Sequence, residues 1–402
     1  MTPYVIGAYI AVSALVLLLT DRCIRRAVSS SRRRKIIRVC FFSGYLILQL
    51  LVPLGTYLPV SGMKYRIQGA GNVWFGFFSG YGFFLLFFLL LLRLIYIRRK
   101  KNRETGRRGD GIALLLAVLC AAVLTGYAMY HAQRPVLKHY DVTIEKKTAG
   151  EGTKAKEPVD LRIALVADLH LSSNSSPKLT RRMVDLINQQ EPDVVLVAGD
   201  IFTSSYRALR HPETYAEILR GIRAKEGVYA VYGNHDCEED LFIGFATTPV
   251  SEAFRPPEMV QFFKDAGFTI LDEEMVTVAG GKIQIIGRED GEKAGDGTAD
   301  RLSADEVMAS ADQSKPVIVL EHEPIEYAAL GAAGADLVLS GHTHNGQVFP
   351  GNLIVRLFNE NGYGYKVADG VQTIVTAGVG YFGPPMRLGT NSEVTVIDLH
   401  CE

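Results

Sequence analysis

Five apolar stretches in this 402-residue sequence each end in a polar cluster of one chemical kind. They read "ADLH" with Asp168 and His170, "AGD" with Asp200, "YGNHD" with Asn234, His235 and Asp236, "LEHEP" with His322, and "SGHTH" with His342 and His344. Five of the nine histidines stand in these clusters; His131, His139, His211 and His400 stand elsewhere. One such histidine alone reads as a hydrogen-bonded structural residue. Five of them beside three carboxylates and an asparagine would be costly to desolvate together without a cation. Carboxylate, imidazole and amide donors without thiolate suit hard to borderline divalent ions such as Mn, Fe or Zn. The sequence has five cysteines and no CxxC, so a zinc-thiolate site is not supported. Seven donor residues (Asp168, His170, Asp200, Asn234, His322, His342 and His344) exceed one tetrahedral site and suit two ions that share a carboxylate.

Residues about 180 positions apart must then meet, and the patterning says how. From about Val136, short apolar strands alternate with helical patterns. "LRIALVAD", "DVVLVAGD", "GVYAVYGNHD", "KPVIVLEHEP" and "ADLVLSGHTH" are buried-strand runs, with helices near 177–190, 214–224, 257–266, 303–310 and 325–333 between or after them. "MVTVAGGKIQIIG" is a hairpin, "TAGEGTKAKEP" a loop, and "EVTVIDL" a final strand. The spacing predicts an α/β domain over 136–402 with mixed sheets. Ligands gather beyond the carboxyl ends of strands in such sheets, which is where all five clusters lie. Glycines before Asp200, Asn234 and His342 permit the sharp turns this needs.

The first 135 residues are of another kind. They hold 19 Lys+Arg and the three acids Asp21, Glu104 and Asp110, whereas the remainder holds 24 basic and 40 acidic residues. Four uncharged apolar stretches, about 4–20, 39–60, 73–92 and 111–130, are each near the length that spans a bilayer. Pro53 and Pro59 interrupt the second, which can end early. Eight basic residues in each of 21–38 and 93–110 place those loops in the cytoplasm. Residues 136–402 are then expected on the extracytoplasmic side. Their balance near −16 repels phosphate backbones, so nucleic acid is not an expected partner and a nuclease is disfavoured.

The ordered blocks "DLH…GD…GNHD…H…GHTH" resemble the calcineurin-like metallophosphoesterases. "GHTHNGQ" followed by "GVGYFGPPMRLGTNSEVTVIDL" is similar to their membrane-associated bacterial branch of YkuE and YaeI type, and the similarity covers roughly 137–402. The resemblance implies a metallophosphoesterase fold, a sandwich of two mixed β-sheets flanked by helices. It implies one ion held by Asp168, His170 and His344, a second held by Asn234, His322 and His342, and Asp200 bridging them. It implies that His235 stands near the leaving-group oxygen as an acid, with Asp236 orienting it. Thr203 departs from relatives that carry an acid or amide there. Glu321 and Glu323 read as solvated or helix-capping carboxylates, Cys237 as incidental and Arg387 as a candidate phosphate ligand. The segments 237–257 and 352–370 read as loops able to act as lids.

The expected function is a membrane-anchored two-metal phosphoesterase. Its substrate is a phosphodiester or pyrophosphate of a lipid or lipid-linked envelope molecule, hydrolysed by metal-activated water. The alternative is a membrane sensor or transporter-like protein whose outer domain binds a phosphate ligand without hydrolysis. Against transport, Gln49 is the only amide residue within the spans.

Overall fold

The computed structural model describes residues 2–59, 61–99, 103–146, 158–293 and 301–402. The loop expected over 148–158 lies almost wholly outside the described residues. The chain divides into two units. One holds Met1–Tyr130 with two later segments, Leu241–Thr247 and Gly383–Met386; the other holds His131–Asp240, Thr248–Phe382 and Arg387–Glu402.

The first unit is built on helices α1 (Thr2–Ala27), α2 (Ser31–Tyr57), α3 (Gly62–Arg99) and α4 (Arg103–Ala132). Each is long and apolar enough to cross a membrane. The expected spans fall within them, except that α2 stops at Tyr57 with Pro53 inside it. Leu58 is extended there, as the residue before Pro59 must be. Leu18, Ile47, Leu90 and Val123 are exposed, as a lipid-facing surface requires. Ala113, Ala117 and Ala121 are buried at a spacing of four on α4, small residues that let helices approach. Asp21 pairs with Arg25 and Arg38, and Asp110 pairs with Arg26 at 3.0 Å.

In the second unit β1 (Val136–Ile144), β2 (Val159–Val166), α5 (Pro177–Gln189), β3 (Val194–Ala198), α6 (Pro212–Arg220) and β4 (Val228–Val231) come first. The hairpin β5 (Leu241–Phe242) and β6 (Phe245–Ala246) belongs to the first unit. Then come α7 (Pro257–Asp265), β7 (Thr269–Ile270), β8 (Met275–Val278), β9 (Ile283–Gly287), α8 (Ala304–Met308), β10 (Val317–Leu320) and α9 (Tyr327–Ala332). The chain closes with β11 (Leu337–Ser340), α10 (Gly351–Phe358), β12 (Gly364–Ala368), β13 (Val371–Val375) and β14 (Glu393–Cys401).

Two six-stranded sheets form, ordered β1-β14-β2-β3-β4-β7 and β12-β13-β11-β10-β9-β8. Both are mixed: β14 runs parallel to β1 and antiparallel to β2, and β12 and β8 are antiparallel edges of the second sheet. The strand period of two assigns the faces. In β3, Leu196 joins a core shared with Ile318 and Leu320 of β10 and Leu337 and Leu339 of β11. Its neighbours Val195 and Val197 face Met183 and Ile187 of α5 and Phe262 and Phe263 of α7. On the far side, Val317 and Val319 pack on Val307 and Met308 of α8 and Leu330 of α9. The sheets are therefore a sandwich with helices on both outer faces, as expected. Apolar residues fill both faces of each central strand, so the strands carry continuous apolar runs.

Two readings change. Residues 352–370, expected as a loop, carry α10 and β12. Part of the expected lid over 237–257 is the β5–β6 hairpin of the helical unit: Phe242 lies edge-on to Tyr9 and stacks on Tyr57, and Thr56 Oγ1 donates to the Leu241 carbonyl at 2.9 Å.

Candidate metal centre and active site

The turns after β2, β3, β4, β10 and β11 carry the seven candidate donors with His235 and Asp236. Asp168, His170, Asp200, His342 and His344 all have positive φ, between 47° and 69°. Each such residue outside glycine costs about 1–3 kcal/mol and persists where the surroundings impose it. Five among seven donor candidates mark strain held for a purpose. Glycine serves the same turns: Gly199 has φ +76°, and a Cβ on Gly233 would stand 2.3 Å from Asp200 Oδ1.

The donors converge in two groups, Asp168–His170–His344 and Asp168–Asp200–His322, all buried. His170 Nε2 lies 2.9 Å from His344 Nε2, and His344 Nε2 lies 3.6 Å from Asp168 Oδ1. His322 Nε2 lies 3.1 Å from Asp200 Oδ2 and 3.1 Å from Asn234 Oδ1. His342 Nδ1 lies 3.2 Å from His322 Nε2. Asp200 Oδ2 is also 3.5 Å from His170 Nε2, so this oxygen faces both groups. Two imidazole nitrogens turned on one another repel unless a proton or a cation stands between them. Separations near 3 Å are those of donors each about 2.1 Å from one ion. The residues fit divalent cations.

Outer contacts orient the donors. His322 Nδ1 donates to the Ala198 carbonyl at 2.8 Å, which turns the Nε2 lone pair inward. Glu292 accepts from Asn234 Nδ2 at 2.9 Å, which turns the amide oxygen inward. Asp168 accepts from the His342 amide at 3.1 Å, and Asp200 Oδ1 from the His235 amide at 2.8 Å. Burial, then the His322 charge, sets His342 down to about 3; burial sets His170 down to about 3, and burial raises Asp168 to about 7. Cations would relieve this tension among groups that resist their charged forms.

His235 lies beside the cluster, its ring 5.6 Å from that of His170. Asp236 does not orient that ring. Its carboxylate accepts from the backbone amides of Phe202 and Gly233 at 2.8 and 2.9 Å, so it fastens the turn. The carboxylate at the His235 ring is Glu239, with Oε1 3.1 Å from Nδ1, and Ser204 Oγ is 2.9 Å from the same nitrogen. Lys293 holds Glu239 from behind at 2.7 Å. Burial would lower His235, but the Asp200 charge and the Glu239 hydrogen bond outweigh it and the imidazole is raised. Glu239 is four residues beyond His235, inside the segment expected as a lid, so a neighbouring carboxylate was the signal and Asp236 merely the nearer one.

Phe382 stacks on His235 at 4.5 Å and tilts over His170 at 5.1 Å. The Gln347 side chain clamps it, accepting from the Phe382 amide at 2.7 Å and donating to its carbonyl at 2.9 Å. Nothing in the sequence pairs these two residues.

Arg387 is no phosphate ligand. It is fully buried and donates to the carbonyls of His344, Gly378 and Gly380. Burial lowers it to about 10, which leaves it charged at neutral pH. Glu321 is likewise buried rather than solvated and accepts from Arg288 at 3.0 Å. Cys237 is buried, which pushes its thiol up. His400 and His211 pair with Asp160 and Glu213 away from the cluster.

Comparison with known proteins agrees. Residues 161–346 match the family model described as calcineurin-like phosphoesterase. The chain is 31% identical over 333 residues to a transmembrane protein with metallophosphoesterase domain from Danio rerio, covering 79% of this chain and 70% of that one. It is 30% identical over 283 residues to an uncharacterized metallophosphoesterase of Aquifex aeolicus, covering 69% of this chain and 97% of that one. It is 26% identical over 314 residues to the uncharacterized metallophosphoesterase YkuE of Bacillus subtilis, covering 75% and 98%. It spans 60% of an uncharacterized relative from Helicobacter pylori. With four membrane-length helices ahead of a buried cage of carboxylates and imidazoles, the chain belongs to the calcineurin-like metallophosphoesterase family and is a metal-dependent phosphoester hydrolase.

Proposed function

We propose that this chain is a membrane-anchored phosphoesterase with two divalent ions. Its substrate would be a phosphodiester or pyrophosphate of a lipid or lipid-linked envelope molecule, cleaved at the extracytoplasmic face. The observation that supports this most is Asp200 Oδ2, which faces His170 and His322 from one position. Asp168, His170 and His344 would hold one ion, Asn234, His322 and His342 the other, and Asp200 would join them. Mn, Fe and Zn all suit these donors. Bound cations supply Lewis acidity and make water nucleophilic near neutral pH.

The chain's own groups do the rest. His235, protonated and aimed by Glu239 and Ser204, gives its proton to the departing oxygen. Such an acid is worth about 10²–10⁴ in rate. The imidazole regains a proton from water, and no covalent enzyme intermediate is required. Four membrane helices favour a membrane-borne substrate, since a soluble one needs no anchor, and the basic loops favour an outward-facing catalytic unit.

The test is release of phosphate or head group from a panel of membrane lipids by the purified full-length protein with manganese. Turnover of soluble aryl phosphodiesters with every lipid ignored would remove the lipid part of the reading. Loss of turnover in His235→Ala with ligand binding kept supports hydrolysis. A protein whose function survives that change would be a phosphate sensor.

A further inference from the structure

Helix α10 begins seven residues after His344 and shows an unusual face. Leu353 and Ile354 are 51% and 52% exposed, and Leu357 and Phe358, one turn on, are 79% and 83% exposed. Phe349, just before the helix, is 56% exposed. Pairs at i and i+4 make these one apolar stripe rather than scattered residues. Such contiguous patches mark interaction surfaces. The helix is not loose. A Cβ on Gly346 would stand 2.0 Å from the Gly351 carbonyl carbon, and one on Gly362 would stand 2.7 Å from Val355 Cγ1. The backbone of α10 is therefore seated against the turn that carries His344, while its apolar stripe is left uncovered among the described residues.

The occupant follows from the rest of the chain. The α4 helix, of membrane-spanning length, ends at Ala132, and the catalytic unit's first strand starts at Val136. Three residues between them keep a bilayer permanently near this unit, at high effective concentration. Arg356 is exposed on the same helix and suits a phosphate head group beside apolar side chains.

We infer that α10 is an interfacial membrane anchor. Its Leu353, Ile354, Leu357 and Phe358 face enters the head-group boundary of the bilayer that holds α1–α4, and it sets the His342–His344 turn at the lipid surface. This rests on the proposed lipid substrate for its purpose but not for its physics.

The experiment places one tryptophan at the stripe. Leu357→Trp in a Trp74→Phe background, full length, is reconstituted in phosphatidylcholine–phosphatidylglycerol vesicles, with and without lipids brominated near the top of the acyl chain. The expected result is blue-shifted emission quenched several-fold more than in Asp305→Trp, a control at an exposed position of α8. Water-like emission, or blue-shifted emission that brominated lipid leaves unquenched, as when a second copy of the chain covers the stripe, overturns the inference. A second variant, Leu357→Glu/Phe358→Glu, should lower turnover of vesicle-borne lipid at least tenfold while turnover of a soluble aryl phosphodiester stays within twofold. Equal turnover of both substrates would also overturn it. The fluorescence needs no catalysis, so a failed substrate panel with a quenched tryptophan would sink the lipid-hydrolase reading and leave the anchor standing.

Discussion

Glu239 Oε1 lies 3.1 Å from His235 Nδ1, and the Lys293 ammonium lies 2.7 Å from the other Glu239 oxygen. This line of imidazole, carboxylate and ammonium fixes which way the imidazole points. Glu239→Gln keeps the shape and removes the charge. It should slow phosphoesters with poor leaving groups, such as alkyl alcohols, by about 10–100-fold, a part of the gain an acid supplies. Nitrophenyl esters, which depart without a proton, should slow by much less. A plot of rate against leaving-group pKa checks this, and equal slowing across the series would reduce Glu239 to a packing role.

Asp200 faces two groups of donors, so in the proposed two-ion site its loss should cost both ions. Asp200→Asn should leave less than one manganese per chain in elemental analysis. Activity should fall by more than the roughly 10–100-fold that loss of an outer partner costs. Glu292→Gln, at a carboxylate that accepts from the Asn234 amide, should fall within that smaller range.

Burial sets His170 down to about 3, and burial with the His322 charge does the same to His342. In the unfolded chain both titrate near 6.5. A group depressed in the fold stabilises above its unfolded pKa, and this is lost as pH falls toward the folded one. Below about pH 6.5 the unfolded chain takes up protons that these two imidazoles refuse. Burial also raises Asp168 to about 7, so that it binds a proton in the fold that the unfolded chain does not and works the other way. His322, raised by the Asp200 and Asp168 charges against the effect of burial, acts in the same sense as Asp168. His170→Gln/His342→Gln should therefore make the metal-free protein's melting temperature fall less, or rise more, from pH 7 to 5 than in the parent. Manganese protection should fade in the same window, because Asp168, raised to about 7 by burial, must stay unprotonated to hold an ion. Calorimetry at several pH values, with and without manganese, gives both slopes.

Arg387 satisfies three carbonyls around the His344 turn. An ammonium cannot span them in a plane. Arg387→Lys should destabilise by about 3 kcal/mol through acceptors left without donors. It should also lower the melting temperature without manganese, which a phosphate ligand's loss would not.

The catalytic unit was largely legible because its strands are apolar on both faces and end in reactive residues. "DVVLVAGD" announces β3 and Asp200 together. The convergence of the candidate donors was legible for the same reason: one strand end, one polar cluster. What escaped depends on contacts between distant segments. Glu239 sits among "CEED" with no mark to separate it from Asp236. Gln347 and Phe382 meet across 35 residues. Arg387 reads from sequence as a candidate phosphate ligand, and only the converging carbonyls of Gly378, Gly380 and His344 make its burial tolerable. The β5–β6 hairpin has too few residues to reveal that it packs with the helices.

The edge strand β1 has β14 as its neighbour, with Val136 opposite Glu393 and Ile144 opposite Cys401. That pairing has a consequence for the order of events at the ribosome. The first strand to leave the last membrane helix must wait, unzipped, until residues 393–401 have been translated. A nascent chain arrested before residue 393 would thus hold its helices in the bilayer with β1 still offering bare amides and carbonyls.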